Sequence, residues 1–335
     1  MCKSIIYGVV VAQHFLLSAA ARTLSLTAVA RMSDAEARAT FKRIRWADND
    51  GKPYCPHCGC VKVSAFKTRP VWKCSACKYQ FSVTAGTIFA DRKRPIRDYL
   101  LAIAIFVNGA KGHSALQLSR DLNCQYKTAF VLAHKLREAI AAEQRDVRLS
   151  GTVHVDGAYF AGHRKPANKA ADRADRRQPD EQTAKRKVVV VMRERGGRTL
   201  PFVTRKESEG VAIIRERVAF GSTIHADEAS GWDSLYAHYD VRRVNHSVAY
   251  SQNGIDTNQA ESYFSRLRRS AIGVHHRIGA RLLGRYASEM AWREDRRNES
   301  NGAQWREVTA LSLAHPVSRE WAGYWQRSAP KEAAE

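Results

Sequence analysis

The stretch "CPHCGCVKVSAFKTRPVWKCSACKYQF" holds two Cys-x2-Cys pairs, Cys55/Cys58 and Cys74/Cys77, with fifteen residues between them. Nothing else in the chain constrains its fold as tightly. Each pair presents two thiolates to one ion, and Zn2+ takes four sulfurs at about 2.3 Å in a closed tetrahedron. A closed shell leaves no position for substrate, so the expected role is structural. The ion supplies folding free energy that so short a segment cannot draw from apolar burial. Redox chemistry is the alternative for a single Cys-x2-Cys, but it does not account for two at ribbon spacing. The remaining cysteines, Cys2, Cys60 and Cys124, make the total odd. That count argues against a disulfide framework and for a reducing compartment. His57 and Cys60 lie close by and are the neighbours most easily mistaken for ligands.

Charge narrows the partner. The 335 residues carry a formal net charge of +22, spread along the chain rather than gathered in a tail. Such an excess repels itself in a compact state, and a polyanionic partner relieves the repulsion. Double-stranded DNA is the expected partner, ahead of an anionic membrane surface. No segment is long and apolar enough to promise a membrane span. Ile5–Ala21 is faintly like a signal peptide, but Gln13 and His14 interrupt it. Export would also oxidise the paired thiols, so a cytoplasmic, nucleoid-associated protein is expected. Met32 opens a soluble-looking stretch, and residues 1–31 read as a non-structural extension.

The pattern divides the rest. Residues 32–82 predict a helix, capped by Ser33 with Glu36 three residues on, followed by the ribbon. Residues 83–149 predict helices: Pro95 can start one and Gly109 can end it. Within them, "SALQLSRDLNCQYKTAFVLAHKLREAI" has the build of a helix-turn-helix. Its second helix would offer Gln125, Lys127 and Thr128 to a major groove; an ordinary helical hairpin is the alternative. Residues 150–300 alternate strands and helices, predicting a mixed α/β domain. Residues 301–335 read as a C-terminal tail.

Two of the predicted strands, "TVHVD" and "STIHAD", end on Asp156 and Asp227, and a predicted helix carries Glu261. Strand ends in α/β folds are where polar side chains converge outside the sheet. Three such carboxylates can hold two Mg2+ or Mn2+ ions, which take oxygen ligands and keep room for water or phosphate. Each acid alone is ordinary, as a turn residue or a solvated helix position; the constellation carries the reading. Six arginines and no acid follow Glu261 up to Arg285. Arg268, seven residues after Glu261, falls on nearly the same helix face about 10 Å along. Arg266, Arg268, Arg269 and His276 are therefore candidate phosphate contacts.

On these motifs the chain resembles bacterial insertion-sequence transposases of the DDE type, in the ISXO-like group with an N-terminal zinc ribbon. The resemblance runs from about Arg45 to Asn298. It rests on the ribbon, "HVDGAYFAGHRK", "IHADEASGW", "VNHS" and "TNQAESYFSRLRRSAIGVHH". It implies a ribonuclease-H-like catalytic domain that cleaves DNA at transposon ends and transfers strands through a 3′-hydroxyl. It makes Asp156, Asp227 and Glu261 the catalytic, metal-holding acids and Arg268 the basic residue after them. It also implies a homodimer or larger assembly on paired ends. Two positions depart from the family pattern: Gly157 stands where an acid is common, and Asp256 where a histidine is usual. Asn258 is the alternative third ligand. The competing function is a catalytically inactive DNA-binding regulator that keeps the ribbon and helix-turn-helix.

Overall fold

The computed structural model describes residues 15–162, 167–172, 186–244, 251–252 and 255–326. The expected chain start (1–14), the basic loop segments 163–166 and 173–185, and the "NHS" of "VNHS" lie outside them.

One body is helical and carries the ribbon. After α1 (Leu26–Ala30), α2 (Asp34–Arg45) begins with the predicted capping box, in which Ser33 and Glu36 satisfy each other's end groups. The ribbon is a three-stranded antiparallel sheet of β1 (Val63–Ala65), β2 (Trp72–Cys74) and β3 (Gln80–Phe81). Its strands are too short for a core of their own. They borrow one from buried Trp46, which meets Trp72 edge-on at 5.6 Å and Phe81 at 6.3 Å. Arg45 fastens the joint by donating to the carbonyls of Val83 and Ala85, both at 2.7 Å. α3 (Ile96–Asn108) is apolar all round, which suits only a central position; Leu100, Ala102, Ile103, Ala104 and Phe106 are fully buried. α4 (Ala115–Asp121) and α5 (Tyr126–Glu143) follow and pack on each other, joined through Asn123 in the left-handed region at φ 44°.

The other body is a five-stranded mixed sheet, built from β4 (Thr152–Ala161), β5 (Arg186–Glu194), β6 (Thr199–Thr204), β7 (Thr223–Ala226) and β8 (Asp240–Arg243). The order is β6-β5-β4-β7-β8: β6, β5 and β4 form an antiparallel meander, and β7 and β8 add in parallel. Val188–Met192 of β5 is buried on every residue, so helices must cover both faces. α6 (Gly210–Arg217) and a 3-10 run, Ser230–Ala237, cover one face. A short hairpin, β9 (Ser251–Gln252) and β10 (Ile255–Asp256), leads into α7 (Asn258–Gly273). α7 and α8 (Leu283–Asp295) cover the other face.

Two expected boundaries are corrected. Residues 301–335 are not simply a tail. α9 (Asn301–Ala314) returns to the helical body against α2, α3 and α5, and the Trp305 indole donates to Leu100 O at 2.9 Å. Nor is the 1–31 stretch non-structural where it is described. Asn301 Oδ1 accepts from the Thr23 and Leu24 amides, both at 2.9 Å, and Val29 is buried against the core containing α3. Among the described residues no helix is long and apolar enough to cross a membrane.

α8 joins the two bodies, touching β6 on one side and α5 on the other. At that joint Glu289 is wholly buried between two arginines, with Arg137 Nε at 2.6 Å and Arg293 Nε at 2.9 Å. Arg293 also donates to Phe106 O at 2.6 Å. Burial alone would raise the Glu289 carboxyl, but Arg137 and Arg293 hold it down at about 2.

Candidate metal centres and active site

The four ribbon cysteines meet. Their Sγ atoms all lie within 4.8 Å of one another, with Cys55–Cys77 and Cys58–Cys74 each at 3.6 Å. Sulfurs 2.3 Å from one tetrahedral ion stand about 3.8 Å apart, so the cluster fits Zn2+. Each knuckle turns through a left-handed residue after its second cysteine, Gly59 at φ 73° and Lys78 at φ 62°. Cys60 and His57 stay out of the cluster, His57 lying against the Tyr79 ring instead. Chelation, or Cys74→Ser, is expected to unfold the ribbon, since structural zinc is worth roughly 10–16 kcal/mol in small domains. Trp46 and Trp72 would then meet water, and tryptophan emission should shift to the red. Unchanged emission after proven zinc loss would contradict this role.

The second site lies at one end of the five-stranded sheet. β4 and β7 pair in parallel only from Thr152↔Thr223 to His154↔His225. Asp156 and Asp227 each follow two residues later, so they are matched in register where the strands part. Residues two apart in a strand share a face; Ala158 and Phe160 place that face of β4 toward α7. Glu261 lies in the first turn of α7, where Thr257 Oγ1 donates to it at 3.4 Å. Asp227 accepts from the Trp232 indole at 2.9 Å and from the Ala229 amide at 3.3 Å, which fixes its side chain. Burial, then the charge of Asp227, pushes the Asp156 carboxyl up to about 7; Glu207 and Glu261 add to this and the Gly157 N–H opposes it.

The charges of Asp227 and Glu261 both act on Asp156, and so does that of Glu207, which the sequence did not mark. Its position on the turn after β6 has no local signature; the one available signal was glycine beside Asp156. The acids converge without closing. Among the described residues only the cysteine cluster brings three or more ligand atoms within 4.8 Å. The donor set, all carboxylate oxygens, is that of a hard divalent cation. Asp256 is engaged elsewhere: its carboxylate takes Arg195 at 3.2 Å and the Asn258 amide at 3.1 Å, with His154 Nδ1 at 3.6 Å.

Beside Glu261 runs an open groove of about 570 Å³, lined by Asn258, Ser265, Arg266 and Arg269 from α7, with Lys111 and Arg297 opposite. Arg266 is held by Glu294 at 2.7 Å and by Ala110 O at 3.1 Å. Arg268 is exposed with its guanidinium 5.6 Å above the Phe264 ring, and His276 is exposed beyond the helix. Gln125, Lys127 and Thr128 are all exposed at the start of α5. The C-terminal segment lies next to them, with Lys127 Nζ 5.3 Å over the Trp325 ring.

The ISXO2-like transposase domain family matches residues 148–295, which include Asp156, Asp227 and Glu261, and the transposase zinc-ribbon domain family matches residues 32–80, which include all four cysteines. Residues 148–295 thus match an ISXO2-like transposase domain. The chain is also similar to an uncharacterized protein in transposable element ISH50 of Halobacterium salinarum, 22% identical over 251 residues, 71% of this chain and 83% of that one. No solved structure matches it. α4 and α5 lie between the two matched stretches.

Proposed function

We propose that the chain is a transposase that binds the ends of its element as double-stranded DNA, cuts them, and joins them to target DNA. The observation that carries the reading is the half-buried Asp156 carboxyl, with Asp227 matched to it in register where two parallel strands part and the charges of Asp227, Glu207 and Glu261 acting on it. The strand order, with Asp156 on the central strand and Asp227 on its parallel neighbour, supports a ribonuclease-H-like domain. Asp156, Asp227 and Glu261 hold Mg2+ or Mn2+, which supplies charge for the attacking and leaving oxygens of a phosphodiester. Glu261 is preferred to Asn258 as third ligand because a carboxylate binds these ions better than an amide.

The chain's own part is placement. Arg269, Arg266 and Lys111, which line the groove beside Glu261, bind the phosphates that flank the scissile one, and the exposed Arg268 and His276 extend the contact. Metal and arginine together reverse the sign of a site whose bare acids would repel DNA. In the cut, water attacks phosphorus and the P–O3′ bond breaks, leaving a 3′-hydroxyl. In joining, that hydroxyl attacks a target phosphorus and displaces another 3′-oxygen. α4 and α5 act as a helix-turn-helix with Gln125, Lys127 and Thr128 toward the major groove. Joining needs two ends, so a dimer or larger assembly forms on them.

The test is incubation with linear DNA carrying the element's terminal repeats and Mg2+ or Mn2+. Cleavage with 3′-hydroxyl products at the repeat boundary is expected. Binding to the repeats with no cutting in either metal would favour the catalytically inactive regulator.

A further inference from the structure

The groove beside Glu261 does not end at the arginines of α7. A second groove, of about 220 Å³, shares Ala110, Arg266 and Arg297 with it and runs on to Arg22, Asn108 and Asn301. The wall between the two is rich in positive charge. Buried Glu294 is reached there by three guanidiniums: Arg297 at 2.6 Å, Arg266 at 2.7 Å and Arg193 at 3.2 Å. One carboxylate cannot balance them, and an anionic ligand relieves the repulsion that is left. Exposed cations stand on either side of this wall. Among the described residues, Arg269 and Lys111 in the first groove and Arg22 in the second form no ion pair. Glu299, the acid on the second groove, is taken by Arg296 at 3.2 Å.

Arg22 owes its place to the residues that follow it. Asn301, at the start of α9, accepts from the Thr23 and Leu24 amides and donates to Leu24 O and Asn108 Oδ1, both at 3.0 Å. The Gly302 amide donates to Thr23 Oγ1 at 3.2 Å. A Cβ on Gly302 would stand 2.5 Å from that same oxygen, while its backbone, outside the positive-φ region, does not itself require glycine. Gly302 therefore provides room for Thr23. The chain is clamped one residue away from Arg22, which lies ahead of both family-matched stretches.

We propose that double-stranded DNA in the groove beside Glu261 continues across the arginines of Glu294 into the second groove, where Arg22 holds a backbone phosphate. This rests on the reading of the first groove as a DNA site. It adds a direction: the duplex crosses from α7 onto the helical body, past the end of α3 and the start of α9. Phosphate contacts of this kind position a duplex without reading its sequence.

The test is the salt dependence of binding by the full chain, without added divalent metal, to a duplex carrying a terminal repeat with flanking DNA on both sides. Melting temperatures are recorded in parallel. Arg22→Ala should lower the slope of log affinity against log salt by about 1, as loss of one phosphate contact does, and equally on an unrelated duplex. Arg22→Lys should keep the wild-type slope. Arg215→Ala removes the same charge from α6, across the sheet from α7, and should leave the slope unchanged. A slope unchanged in Arg22→Ala but lowered in Arg269→Ala would overturn the second groove and leave the first standing. An equal fall in Arg215→Ala would reduce Arg22 to bulk charge and overturn its contact. Slopes unchanged in both Arg22→Ala and Arg269→Ala would overturn both grooves.

Discussion

Replacing Glu289 with alanine is expected to destabilise the fold by about 3–5 kcal/mol, the cost of breaking a buried ion pair and stranding its partners. The effect is large because Arg137 and Arg293 both close on that one carboxylate and neither reaches water. Loss of the anion leaves two guanidiniums facing each other inside the joint between α5 and α8. Glu289→Gln keeps the volume but not the charge, and should fall only slightly short of alanine. The pH dependence has a definite sign. With the folded carboxyl at about 2 against an ordinary 4.5, its stabilisation is complete above pH 4.5 and is lost as pH falls through 2. Denaturant melts of both variants at neutral pH check the size. A change below 1 kcal/mol would mean that the two bodies are not held together at this joint.

The joint matters to function because of what it connects. α5 carries Gln125, Lys127 and Thr128 at its start and Arg137 further along; α8 carries Glu289 and then Glu294, which grips Arg266 of the groove. A rigid α5–α8 contact therefore sets the distance between the proposed DNA-reading end and the acid site.

The sequence disclosed those parts of the molecule that obey local rules. Cysteine spacing gave the ribbon, Ser33 and Glu36 marked the start of α2, and the strands ending on Asp156 and Asp227 pair in parallel, in register, as neighbours in the sheet. The helix that carries Glu261 was legible too, and Glu261 falls in its first turn. What stayed hidden depends on distant contacts. α9 buries Gly302, Thr309 and Ser312 as well as Trp305 and Val308, so no clean apolar stripe announced it. Glu289, Arg137 and Arg293 carry no local mark of burial, since charged residues are seldom fully buried. Glu207 had no pattern at all: only folding brings the turn after β6 beneath Gly157. Asp256, which stands where the family pattern has a histidine, is occupied by Arg195 and the start of α7.

The second large effect concerns the acids themselves. Asp156→Ala, Asp227→Ala and Glu261→Ala should each lower cleavage of element-end DNA at least about 10³-fold, since each removes charge from ions that stabilise both oxygens of the displacement. Binding should change little, because α4, α5 and the arginines of α7 remain. The three are expected to act as a unit, so double replacements should add little to single ones. The deciding measurement is the cleavage rate of Asp227→Ala on a terminal-repeat duplex in Mn2+, with binding to the same duplex measured alongside. A metal-holding role for Asp227 predicts wild-type binding and no detectable cut. A protein that cuts at the wild-type rate would contradict it.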